Sequence, residues 1–242
     1  MTGDPYGPAY YRDNGQSGDR PALAWYARLV RRYCGPGPYL DYGCGTGHLL
    51  RRLAAKGSAA GFEVSPWSVV AARDTAPGAI VYDDPAALPT AAFGALVAVH
   101  VLEHLDDDAV AAALTTWRRV LVRGGRALVA TPDPAGRGHA ISGPRWVGYA
   151  DPTHVNVKPH ARWRDVLVAH GFAVLREGSD GLWNVPYGRS PWPGDAVRAA
   201  PAFAQYLAGR LVLPPGAGES AVFVVERAPG TLRRASGSPP GP

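Results

Sequence analysis

Asp41 stands two residues ahead of the first of three alternating glycines, in Leu40-Asp41-Tyr42-Gly43-Cys44-Gly45-Thr46-Gly47. Glycines at this spacing let a chain turn sharply and bring its backbone close to a ligand. A pyrophosphate-binding turn would use G-x-G-x-x-G and a helix N-terminus. Here the sixth position is His48, and a carboxylate at Asp41 would repel a diphosphate at short range. An anionic strand end beside a tight glycine turn suits a cationic or zwitterionic ligand. Glu63, 20 residues past Gly43, can accept from both hydroxyls of a ribose, because a carboxylate offers two oxygens and no donor. Asp83 or Asp84, followed by Ala87-Leu88-Pro89, can accept from an exocyclic amine. Pro85 supplies no N–H for the ring, which favours Asp83, whereas the spacing to Leu88-Pro89 favours Asp84.

Histidines supply the candidates for proton transfer, since imidazole titrates near neutrality. The candidates are His100, His104, His139, His154 and His160. His104 closes Val101-Leu102-Glu103-His104-Leu105, and His154 lies in Asp151-Pro152-Thr153-His154-Val155-Asn156. These two are expected to converge from the ends of consecutive strands, with one of them the base. Tryptophans and tyrosines gather at Trp146, Tyr149, Trp163, Trp183, Tyr187 and Trp192, where they could line an acceptor pocket or fill a satellite core.

Alternation and breakers then define the elements that must position these groups. A helix is expected over 21–33, strands at 39–42, 58–64, 79–82, 93–101 and 126–130, and helices between them. Ser65-Pro66 reads as N-cap and first turn, and Gly124-Gly125 as the stop of a helix opened at Asp106. Residues 134–158 read as a loop, His160 to His170 as a helix and 172–177 as a strand. A Pro- and Trp-rich excursion at 181–218, with a helix from 195 to 211, precedes a last strand at 221–226. Strand-helix alternation of this kind predicts a doubly wound α/β sheet. Residues 1–19 are expected to be a flexible segment, 20–228 the domain, with 134–158 and 181–218 covering its ligand edge, and 229–242 a disordered tail.

The octet at 40–47 resembles the first motif of class I S-adenosylmethionine (SAM) methyltransferases. The stretch from Phe93 to Leu105, an apolar strand followed by V-L-E-H-L, and then a helix ending in Leu121-Val122-Arg123-Gly124-Gly125, resemble their later motifs. The resemblance covers about residues 20–178. It implies a seven-stranded Rossmann-like sheet of order 3-2-1-4-5-7-6, with strand 7 antiparallel, helices on both faces and a small late insertion. It also implies SAM as cofactor, held by Asp41, Gly43, Gly45, Glu63, Asp83 or Asp84, and His100 near the methionine end. His104 and His154 are the expected catalytic residues. His100-x-x-Glu103-His104 with His154 is similar to the E-x-x-E-H metal site of small-RNA 2′-O-methyltransferases and of ubiquinone-pathway O-methyltransferases. Histidine in place of the first glutamate makes Mg²⁺ less natural and leaves Zn²⁺ or Mn²⁺ conceivable. A divalent metal is therefore the less favoured arrangement.

Composition narrows the partners. The chain has 242 residues, two cysteines and no 18-residue apolar run, so no membrane span and no disulfide framework are expected. Without a basic-then-apolar leader, a cytoplasmic location is expected. The net charge is +5, yet the pairs Arg31-Arg32, Arg51-Arg52 and Arg118-Arg119 fall on separate helices, as solvated faces and not as one nucleic-acid stripe. The expected reaction is methylation of a small-molecule hydroxyl, on a sugar, phenol or biosynthetic intermediate. RNA 2′-O-methylation and non-catalytic SAM binding are the alternatives.

Overall fold

The computed structural model describes residues 4–182 and 194–229. Its centre is a seven-stranded sheet of order β3-β2-β1-β4-β5-β7-β6. The strands are β1 (Tyr39–Tyr42), β2 (Ala59–Phe62), β3 (Ile80–Tyr82), β4 (Phe93–Val99), β5 (Leu121–Pro132), β6 (Phe172–Ser179) and β7 (Ser220–Arg227). The first five run parallel, while β7 is antiparallel to both β5 and β6. This is the expected order, with the late strand inserted between β5 and β6.

Alternate residues of each central strand feed opposite faces, so β4 reads as a continuous apolar run because both faces are buried. Tyr39, Ala95, Val97, Leu128 and Val224 pack beneath Trp25, Leu29, Leu50 and Leu53. These four belong to α2 (Pro21–Leu29) and α3 (His48–Ala54). On the other face Leu40, Leu96, Ala98, Val129 and Phe223 meet Leu114, Trp117, Trp163 and Leu167, from α5 (Asp107–Val120) and α8 (His160–Ala169). α4 (Pro66–Thr75) starts as expected, with the Ser65 hydroxyl accepting from Ser68 N–H. No helix among the described residues is long and apolar enough to cross a membrane.

Several local expectations are corrected. α5 stops at Val120, not at the glycines: Phe93 pairs with Leu121, and the register then slips so that Ala95 meets Arg126. Gly124-Gly125 thus lies in an irregular strand entry, with Gly124 left-handed at φ 69°. Residues 134–158 contain α6 (Arg137–Ser142) and α7 (Val147–Ala150), not a bare loop. In the late insertion the helix is α9 (Gly194–Ala208). Residues 4–19, for which the sequence signalled no element, include α1 (Pro8–Asp13). Arg118 and Arg119 form no solvated face. Arg118 Nη1 donates to Gly171 O at 2.5 Å, and Arg119 donates to the carbonyls of Leu88 and Pro85, each at 2.6 Å. The disordered tail expected at 229–242 lies, beyond Pro229, outside the described residues.

Candidate active site

A cavity of about 1020 Å³ opens at the carboxyl edge of β1 and β4, where strand order reverses and ligands of open α/β sheets bind. Its floor is the glycine turn. Gly43 and Cys44 N–H groups both donate to Phe62 O, at 2.8 and 3.0 Å, tying β1 to β2. Gly47 enters α3 at φ 82°, and a Cβ there would stand 2.8 Å from the Cα of Ala72. Only glycine fits that approach.

Asp41 is buried at 2% exposure and lines the cavity. Burial, followed by the charge of Glu63, pushes its carboxyl up to about 8. Its Oδ2 has no hydrogen-bond partner. Such an oxygen is costly unless a ligand cation meets it. Glu63 is also buried. Its Oε2 accepts from Gly45 N–H at 2.8 Å, and its Oε1 from Val64 and Ser65 N–H at 2.8 and 3.0 Å. Three backbone donors thus occupy most of the carboxylate's roughly four acceptor sites, and the side chain that braces the glycine turn also lines the cavity. Asp83 and Asp84 are exposed at the rim, next to the cavity-lining Pro85. Asp84 Oδ1 is occupied by Ala86 N–H at 2.8 Å.

At the other end of the cavity three histidines gather. His100 follows β4 in a left-handed conformation, φ 57°, with its N–H on Ala130 O at 2.8 Å. Its Nδ1 lies 3.0 Å from Glu103 Oε1, and Thr131 Oγ1 donates to Glu103 Oε2 at 3.2 Å. Burial opposes charge on both partners. Their mutual hydrogen bond wins, holding His100 above its ordinary value and the fully buried Glu103 below the usual carboxylate range. His104 is held below its ordinary value by burial, and so favours the neutral imidazole that a base requires. Thr153 Oγ1 lies 3.0 Å from its Nδ1.

His154 Nδ1 faces Gly148 O at 3.0 Å, and the two imidazoles meet edge to face with centroids 4.7 Å apart. His100, His104 and His154 all line the cavity, whereas His139 and His160 do not. His139 Nδ1 faces Pro134 O at 2.7 Å and His160 Nε2 faces Glu177 at 3.2 Å, which are structural contacts. One ligand atom each from Glu103, His104 and His154 lies within 4.8 Å of the others. With both rings oriented through Nδ1, that set fits a divalent ion.

Trp146 lines the cavity and donates to Glu219 Oε2 at 2.9 Å. Trp163, on α8, is in the core and Tyr149 is exposed, while Trp183, Tyr187 and Trp192 lie outside the described residues. Sequence reasoning missed the N-terminal wall. Asp4 Oδ2 accepts from Ser65 Oγ at 2.5 Å, Tyr6 O from Ser68 Oγ at 3.1 Å, and Tyr6 packs edge-on to His104. Asn14 reaches Asp151 at 3.0 Å. The only available signal was the run of tyrosines at 6, 10 and 11 around Pro8. Arg20 also lines the cavity and belongs to no sequence motif.

Comparison with known proteins identifies the family and the fold. A family model described as a methyltransferase domain matches residues 17–177. No protein of curated function matches the chain. Among solved structures, a SAM-dependent methyltransferase from Mesorhizobium loti is 20% identical at a TM-score of 0.56, covering 84% of this chain and 96% of that one. Another, from Archaeoglobus fulgidus, is 16% identical at 0.61, covering 90% and 99%. Mitomycin 7-O-methyltransferase MmcR is 18% identical at 0.59, covering 86% and 53%. These likenesses establish a shared fold.

Proposed function

The chain belongs to the SAM-dependent methyltransferases, and we propose that it methylates a hydroxyl of a small organic acceptor. The observation that carries this reading is the pairing, in one cavity, of an Asp41 carboxyl with one unpartnered oxygen and the convergent imidazoles of His104 and His154. Bound SAM supplies a methyl group on sulfonium and leaves as a neutral thioether.

Asp41 takes the ammonium of the cofactor and Glu63 its ribose hydroxyls. Asp83 serves the adenine amine, because Asp84 already caps its own turn. His104 or His154 removes the acceptor proton, and Trp146 with the tyrosines of the N-terminal segment walls the acceptor from water. A wall of this kind, a few polar groups set among aromatic rings, suits a small organic ligand. That a structural neighbour is named as a mitomycin 7-O-methyltransferase is consistent with a hydroxyl acceptor.

The test is methyl transfer to a panel of sugars, phenols and polycyclic alcohols. His104→Gln and His154→Gln should be compared with wild type. Loss of the base should lower turnover by roughly 10²–10⁴-fold with little change in S-adenosylhomocysteine affinity. Tight S-adenosylhomocysteine binding with no acceptor methylated would favour a non-catalytic binder. The cluster of Glu103, His104 and His154 favours a second reading, in which these residues hold a divalent ion that lowers the acceptor's pKa. Activity abolished by a chelator and restored by Zn²⁺ or Mn²⁺ would select it.

A further inference from the structure

The ring of His104 is met at Nδ1 by two oxygens of one residue, Thr153 O at 3.3 Å and Thr153 Oγ1 at 3.0 Å. A carbonyl oxygen can only accept, and a hydroxyl has one proton to give. Thr153 directs that proton to Asp151 Oδ1, at 2.6 Å. Asp151 is arranged to receive it. The same Oδ1 takes Thr153 N–H at 2.9 Å, and Oδ2 takes Asn14 Nδ2, from the residue that ends α1, at 3.0 Å. Toward His104 the Thr153 hydroxyl is therefore left as an acceptor. Its other lone pair can take the phenolic proton of Tyr10, the second hydroxyl beside it.

The backbone holds Thr153 in this place. It lies on the loop after α7, and that loop is fastened to the chain on both sides of His104. Val155 and Asn156 N–H donate to Glu103 O at 2.9 and 3.0 Å, and Asn156 Nδ2 donates to Leu105 O at 2.9 Å. Which nitrogen of a neutral imidazole carries the hydrogen is set by the hydrogen bonds the ring makes. With two acceptors at Nδ1 the hydrogen sits there, and Nε2 keeps its lone pair. A free imidazole side chain populates that tautomer less than the Nε2–H form, so the protein has to impose it.

We propose that Thr153, itself aligned by Asp151, is a positioning residue that fixes His104 as the Nδ1–H tautomer and so presents the Nε2 lone pair to the cavity that His104 lines. This rests on the methyl-transfer reading above, with His104 as the base. Nε2 takes the proton of the acceptor hydroxyl as that oxygen bonds to the methyl carbon and the C–S pair returns to sulfur. The imidazolium so formed donates from Nδ1 to Thr153, whose hydroxyl dipole Asp151 has already turned to meet the charge. In the other tautomer His104 would aim an N–H at the acceptor and could take no proton from it.

Imidazole ¹⁵N spectroscopy on the full chain tests this without an acceptor, at about pH 8, where an ordinary histidine is neutral. With labelled histidine, and His104→Gln identifying the signals of His104, wild type should show a protonated Nδ1 and a bare Nε2. Thr153→Val should return His104 toward the Nε2–H form, while Thr153→Ser, which keeps the hydroxyl, should hold the wild-type pattern. With an acceptor from the panel, Thr153→Val should lower kcat by about 10- to 100-fold and leave S-adenosylhomocysteine affinity within about twofold, the range for one hydrogen bond to a charged group. Thr153→Ser should recover most of that loss. Melting curves of the variants establish that they fold. An Nε2–H imidazole at His104 in wild type, or a tautomer that Thr153→Val does not shift, would overturn the assignment. A shifted tautomer with unchanged kcat would overturn the positioning role. The Nδ1–H form in a wild type that methylates no hydroxyl would instead sink the methyl-transfer reading and leave the tautomer assignment standing.

Discussion

Asp41 holds a proton that its ligand would remove. Its carboxyl lies at about 8 in the folded chain against 3.8 for the free side chain. Between those values the folded state binds more protons than the unfolded one, so ligand-free stability falls as pH rises from about 4 to about 8. Asp180, raised to about 6 chiefly by burial, adds the same slope over the lower part of that window. The carboxyls held low, Glu103 and Asp151 among them, contribute the opposite slope only at more acid pH. Melting temperatures at pH 6 and pH 8 should therefore drop more in wild type than in Asp41→Asn, the comparison cancelling the histidines common to both. An ammonium ligand needs the carboxylate, so S-adenosylhomocysteine should bind more tightly toward pH 8 and release protons, seen as heats that change with buffer. A wild-type melting slope no steeper than that of Asp41→Asn would place the proton elsewhere.

The glycine turn and α1 show what a sequence discloses about an element and what it hides. Gly43, Gly45 and Gly47 all adopt positive φ, a demand that glycine answers locally, so the turn was legible from residue types alone. Glu63 was legible for a similar reason, as the acidic residue just past a buried strand. α1 was not, because six residues between Gly7 and Gly15 have little helical preference of their own. Its order comes from distant partners: Ser68 and the glycine turn under Tyr11, and His104 beside Tyr10. Two substitutions separate the kinds of element. Gly47→Ala meets backbone at Ala72 and an unfavourable φ, so it should cost about 1–3 kcal/mol in a denaturant titration and abolish S-adenosylhomocysteine binding. Removing residues 1–15 should spare the cooperative melt of the sheet, whose cores do not include α1. It should raise the acceptor KM, because Tyr6 and Tyr10 leave the cavity wall. If the truncated chain failed to melt cooperatively, α1 would be part of the domain and not a wall added to it.

At the scale of the whole molecule the question is whether a chain of net charge +5 offers its acceptor a basic surface. The structure disperses that charge. Arg51 and Arg52 reach Asp19 at 3.2 and 2.5 Å, and Arg126 pairs with Glu226 at 2.9 Å. Arg118 and Arg119 are spent on backbone carbonyls that fasten the chain before β6 and after β3. These side chains hold elements together around the sheet and do not converge on a track leading to His104. The cavity instead gathers five buried acidic side chains, Asp41, Glu63, Asp151, Asp180 and Glu219, against two arginines, Arg20 and Arg145, a lining that disfavours a phosphate backbone. Counterion release makes nucleic-acid binding fall steeply with salt, by about 10³–10⁵ between 50 and 200 mM for 6–10 phosphate contacts. A small uncharged acceptor lacks that term. Once an acceptor is identified, kcat/KM should change by less than about threefold across the same salt range, since the exposed charges near the mouth are screened beyond roughly 8–10 Å in any case. A slope of several powers of ten, together with methylation of an RNA 2′-hydroxyl, would replace the small-molecule reading with the RNA one while leaving the cofactor site as described.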